Sequence, residues 1–176
     1  QKSPEAHARW WQDHCKLILH LAQLAQESGI EMYCLGTELV KMTTTHTAEW
    51  RELINSVRKI YHGKLTYAAH WHEEMQKIQF WNDLDYIGVS AYFPLDAPVG
   101  ADATALKTAW LPHVKKLQQL HDREGKPVMF LEAGYRGVDN CHREPWAYSG
   151  GQPDAQAQAR AYEAMFSAFG NKPWFQ

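Results

Sequence analysis

Short apolar runs and amphipathic helical stretches take turns along this chain, and no hairpin signal joins any two of the runs. That alternation restricts the fold more than any other feature. Parallel neighbours cannot be connected by a tight turn and need a crossover element, so a strand–helix–strand order obliges a parallel sheet covered by helices.

The first helix announces itself with Ser3 as N-cap, Pro4 in the first turn and the acid Glu5 behind it, and Gly29 stops it. Between them Trp11, Cys15, Ile18, Ala22 and Ala25 recur at helical steps, with Leu17, Leu21 and Leu24 beside them. Residues 30–36 read as a strand that ends at Thr37 and Glu38, and residues 43–47 as a loop and N-cap. A second helix presents Trp50, Leu53, Ile54, Val57, Ile60 and Tyr61 on one face and stops at Gly63. Residues 65–69 form the next strand, with His70, Trp71 and His72 just past its end and a short helix around 73–80. Residues 84–91 form a third strand leading to Tyr92, Phe93 and Pro94. A long helix over about 102–123 is expected to kink or break at Pro112, which cannot donate to the helical ladder. Residues 127–131 are the fourth strand, ending at Glu132. A polar loop follows, then a helix from Asp154 whose Ala155, Ala159, Tyr162, Phe166 and Phe169 repeat at helical spacing, and Lys172, Pro173, Trp174 and Phe175 start another strand.

Doubly wound sheets and barrels both satisfy this order. The strand ends separate them: no glycine-rich phosphate fingerprint follows any strand, and each strand closes on polar and aromatic residues, as barrel strands do where they build an active site. The fold class expected is α/β, a partial (β/α)8 TIM barrel. A whole barrel takes about 250 residues, so the chain supplies about strands four to seven and the start of the eighth. Residues 1–176 are then one domain, the C-terminal part of a barrel. A half-barrel leaves strand edges unpaired, so the missing half is expected from the same polypeptide or from a second copy.

Composition narrows the function. A net charge of −2 with scattered lysines and arginines offers no basic stripe, so nucleic acid is not an expected partner. No apolar run approaches the ~20 residues of a bilayer span, so no membrane role is expected; secretion or a periplasmic location is mildly favoured, its signal lying upstream. Cys15, Cys34 and Cys141 are odd in number and form no CxxC pair, so they read as core thiols and not as disulfides or a zinc knuckle. Eight tryptophans fit a core and equally a cleft where flat aromatic faces stack on a ligand.

Two acids stand at corresponding places. Glu38 and Glu132 each emerge at the C-terminal tip of an apolar strand, three strands apart, whereas Glu31 lies at the opposite end of its strand, roughly 23 Å from Glu38 at about 3.3 Å per residue. Taken singly, either glutamate reads as a salt-bridge or loop-capping residue. As a pair on strands that face each other across a barrel mouth, they suit acetal cleavage: one carboxylic acid protonates the departing oxygen while the opposite carboxylate attacks the anomeric carbon or activates water. A spacing of about 5–5.5 Å gives retention and one of roughly 6.5–9.5 Å inversion.

The segments Gly36-Thr37-Glu38, Ser90-Ala91-Tyr92-Phe93-Pro94 and Phe130-Leu131-Glu132-Ala133-Gly134-Tyr135-Arg136 together resemble glycoside hydrolase family 113, retaining β-mannanases of clan A. The resemblance spans most of the chain. It implies that Glu38 is the acid/base, that Glu132 is the nucleophile, and that Tyr92 hydrogen-bonds the nucleophile. Many clan relatives carry Asn before the acid/base, where it contacts the sugar 2-hydroxyl; here Thr37 stands in that place with a single hydroxyl to offer.

Trp71, by stacking, and His70, by hydrogen bonding, are candidates for a sugar subsite, although Trp71 also reads as core. Trp146 joins them from the loop after Glu132, alongside Tyr135, Arg136 and Tyr148; a solvated surface role suits Arg136 as well. His70 and His72 could be a metal pair, but no third ligand has matching spacing, so neither metal nor cofactor is expected. Asp83 and Asp85 sit at the far end of the barrel, and Glu73 and Glu74 open a helix where its dipole favours them, so all four read as structural. By that resemblance the leading expectation is endo-hydrolysis of β-1,4-mannan by double displacement; the residues read by themselves suit glucan or galactan equally. A carbohydrate-binding half-barrel without catalysis and a metal-dependent hydrolase are the alternatives.

Overall fold

The computed structural model describes residues 3–176; Gln1 and Lys2 lie outside them. Its elements are α1 (Pro4–Glu27), β1 (Met32–Thr37), α2 (Val40–Thr45), α3 (Thr47–Arg58), β2 (Lys64–His70), α4 (Glu74–Lys77), a 3-10 turn at Trp81–Asp83, β3 (Ile87–Ser90), α5 (Ala103–Glu124), β4 (Val128–Glu132) and α6 (Ala155–Phe169). The strands form one sheet in the order β1-β2-β3-β4, every pair parallel. A doubly wound sheet reverses its order at a switch point, whereas this sheet steps in one direction, as a barrel wall must. At its far edge Phe175 forms a parallel bridge with Val128, so a fifth strand begins where Lys172 to Phe175 led one to expect it.

Packing explains the sidedness. Leu35, Leu65, Tyr67, Ala69, Ile87, Val89 and Val128 are buried, as are Trp50, Leu53, Ile54 and Val57 of α3, Leu106, Trp110, Leu117 and Leu120 of α5, and Ala161, Ala164 and Phe169 of α6. On the alternate positions the strands come so close that a Cβ on Gly88 would lie 2.5 Å from the Tyr67 carbonyl oxygen and 2.7 Å from Thr66 Oγ1, which only glycine avoids. The Trp110 ring, wholly buried, packs against Phe93, Phe130 and Phe169 and ties α5 and α6 to the sheet. Trp110→Ala is expected to cost about 3–5 kcal/mol, read as a lowered denaturant midpoint.

At the N-terminal end of the sheet, Asp85 accepts from the Leu65 N–H and the Arg58 guanidinium and lies 3.4 Å from Lys64 Nζ. Burial pushes its carboxyl up, but that backbone bond and the two cations outweigh it and hold it below the ordinary aspartate value. The stability it contributes is therefore present above the unfolded pKa and is lost as pH falls through the lower folded one.

Several local expectations change. Residues 40–45, read in part as a loop, form α2, in which the Thr44 and Thr45 hydroxyls bond back to carbonyls four residues earlier. The N-cap of α3 is His46, without a side-chain cap bond. α5 runs through Pro112 unbroken. In α1 the buried stripe is Ile18, Ala22 and Ala25, whereas Leu17, Leu21 and Leu24 are exposed. In α6 the buried face is Ala157, Ala161, Ala164, Met165, Ala168 and Phe169; Ala155, Ala159 and Phe166, assigned to it by spacing, are exposed. Of the three free cysteines only Cys141 is fully buried, while Cys15 and Cys34 are partly so.

Candidate active site

The two glutamates are placed by irregularities in the strands that carry them. Between the pairs Cys34↔Thr66 and Thr37↔Ala68, β1 advances by one residue more than β2. Between Val89↔Phe130 and Ser90↔Glu132, β4 advances by one residue more than β3, so Glu132 and not Leu131 lies beside Ser90. Extra residues of this kind re-aim side chains and recur next to active sites. Glu38 adds a second local device: its φ is +52°, a left-handed conformation that costs a non-glycine residue about 1–2 kcal/mol. Its N–H donates to the Ala68 carbonyl at 2.9 Å, and the next N–H, of Leu39, donates to the Tyr67 hydroxyl at 2.6 Å.

Both carboxylates then border one cleft of about 540 Å³ at the C-terminal ends of the strands. His70, Trp71, Tyr92, Arg136, Trp146, Tyr148 and Tyr162 share its wall. Of the residues singled out from sequence, Thr37 is absent from that wall and lies exposed at the end of β1. The Tyr92 hydroxyl donates to Glu132 Oε2 at 3.3 Å. Its pKa is raised, first by burial, then by the Glu132 charge and hydrogen bond, with smaller contributions from Tyr148 and Glu38. Tyr92 thus feels both carboxylates at once.

One side of the cleft is aromatic. Trp71 stacks on Trp146 with centroids 5.5 Å apart and planes 18° from parallel, and His70 stacks on Trp71 at 5.4 Å. Trp71 is half-buried against the core and so serves packing as well. Arg136 donates to the Ser149 carbonyl and so props the loop after β4, which shapes a second groove of about 610 Å³ that shares Arg136 and Ala147 with the cleft lining. Tyr162 was missed by sequence reasoning, because helical spacing on α6 marks it as core. Its hydroxyl accepts from the Tyr135 N–H at 3.4 Å. Among the described residues no three His, Cys, Asp or Glu side chains come together as a metal-holding group, and no helix is long and apolar enough to cross a membrane.

Comparison with known proteins adds ancestry to this geometry. The profile of Glycoside Hydrolase Family 113 matches residues 1–176. A solved β-mannanase of that family from Alicyclobacillus acidocaldarius, in complex with ManMIm, is 32% identical over 96% of this chain and 50% of its own, with a TM-score of 0.80. A second, a GH113 β-1,4-mannanase complex, is 26% identical over 94% of this chain and 50% of its own, at 0.81. A Ruminococcus gnavus β-glucuronidase, 14% identical with a TM-score of 0.69 over 94% of this chain and 28% of its own, shares the fold alone. The chain spans about half the length of the β-mannanases it matches, so its sheet corresponds to half of their barrel. A search of curated proteins returned no match.

Proposed function

We propose, from the premise that this chain belongs to glycoside hydrolase family 113, that it provides the acid-bearing half of a (β/α)8 barrel that cleaves β-1,4-mannan internally by double displacement. The observation that carries the reading is the pair Glu38 and Glu132 on one cleft, with Tyr92 bonded to the second. Glu132 attacks the anomeric carbon and Glu38 protonates the departing oxygen; Glu38 then takes a proton from the water that releases the sugar from Glu132. The Tyr92 hydrogen bond orients Glu132 for attack, and it must weaken as the carboxylate charge passes into the glycosyl ester. Trp146, exposed and backed by its stack on Trp71, offers a flat apolar face for a sugar, and His70 a hydrogen bond to its rim. Residues 1–176 act as one domain, and the other barrel half comes from the same polypeptide or from a second copy.

Proton NMR of the first product released from manno-oligosaccharides by the intact protein tests the reading. A β-anomer is expected. An α-anomer would overturn double displacement, and binding of the same sugars with no turnover would make the cleft a carbohydrate-binding site instead.

A further inference from the structure

Glu74 is the one acidic side chain among the described residues that is fully buried, at 1% exposure, and it lies outside the cleft wall. No described lysine, arginine or histidine pairs with it. A buried carboxyl without a cation is costly unless its oxygens are filled by donors. Here three donors fill them: the Tyr67 hydroxyl at 2.8 Å and the Thr43 hydroxyl at 2.6 Å on Oε1, and the His70 N–H at 2.7 Å on Oε2. Tyr67 and Thr43 are themselves wholly buried. Gly36 lets the Tyr67 ring lie against β1, since a Cβ there would meet Tyr67 Cε2 at 3.3 Å.

The Tyr67 hydroxyl is the link. It donates to Glu74 and accepts the Leu39 N–H, so the peptide after Glu38 ends in a chain of two hydrogen bonds on a buried acceptor. Because Glu74 draws the Tyr67 proton toward itself, the lone pair left for Leu39 N–H is fixed in direction and strengthened. That peptide sets ψ of Glu38, the residue held at a φ of +52°. We propose that Glu74 is the positioning residue for the acid/base Glu38, acting through Tyr67 on the Glu38–Leu39 peptide, while its second oxygen anchors the backbone of His70 beside the sugar wall. This inference rests on the acid/base role assigned to Glu38 above.

Tyr67→Phe keeps the ring packed against Trp50 and Phe80 and removes only the hydroxyl. Measured on the intact protein, the variant is expected to lower kcat/KM for manno-oligosaccharides by about 10- to 100-fold, the scale of a small misplacement of a catalytic group. The fall should lie in kcat with KM little changed. For a dinitrophenyl β-mannoside, whose leaving group needs no proton, kcat/KM should stay within about threefold of wild type. Glu74→Leu, which removes both acceptor oxygens, should show the same split, and its melting temperature is recorded alongside. Equal losses on both substrates, or no loss on either, in Tyr67→Phe would overturn the positioning role while leaving the proposed function standing. A wild-type protein that turns over neither substrate would sink the proposed function and this inference with it.

Discussion

Replacing Glu132 with alanine is expected to lower turnover of manno-oligosaccharides by on the order of 10⁴-fold or more, the scale on which loss of a covalent nucleophile is felt. The fold should be untouched, because Glu132 is exposed at the tip of β4 and its side chain bonds only to Tyr92 among the described residues. A second signal comes from Tyr92 itself. Its hydroxyl is held above the ordinary tyrosine value by burial and then by Glu132, so removal of the carboxylate should bring its ultraviolet titration to lower pH. An active Glu132→Ala protein with that titration shift would show the carboxylate gone and the nucleophile elsewhere.

Glu38→Ala carries the second largest expected effect and a different signature. Loss of a general acid should cost about 10²–10⁴-fold in kcat/KM on natural glycosidic bonds. Aryl mannosides with good leaving groups should be largely spared in kcat/KM, which reports only the first displacement, while kcat falls because the glycosyl–enzyme accumulates without a base to activate water. Azide, a nucleophile that needs no base, should restore kcat on the aryl substrate and yield β-mannosyl azide. A uniform loss on both substrate classes would remove Glu38 from the acid/base role.

The parallel architecture could be read from the chain because buried parallel strands have no polar face to disguise them: Val128 to Leu131 and Ile87 to Val89 stand out as apolar runs between helical periods. Strand ends could be read for the same reason, since Glu38 and Glu132 interrupt such runs. Side-chain partners could not. Glu74 looks like an ordinary helix-opening acid; what makes it otherwise is a tyrosine seven residues back and a threonine on α2, the second a contact that exists only after β1 and β2 pair. The same holds for α6, where two competing stripes satisfy helical spacing and the alanine-rich one wins because small side chains let it approach α5.

The two ladder irregularities have a consequence for anyone who would borrow this chemistry. An idealised eightfold scaffold has uniform hydrogen-bond registers and no residue at positive φ outside its glycines. Grafting only the paired acids onto such a scaffold would put a leucine-like position beside Ser90 where Glu132 now lies, and would leave the other acid on a straight strand. On the proposed roles, the minimal transplant is therefore not a pair of residues but two strands, each with its supernumerary member, and the buried tyrosine bonded to the peptide after the first acid.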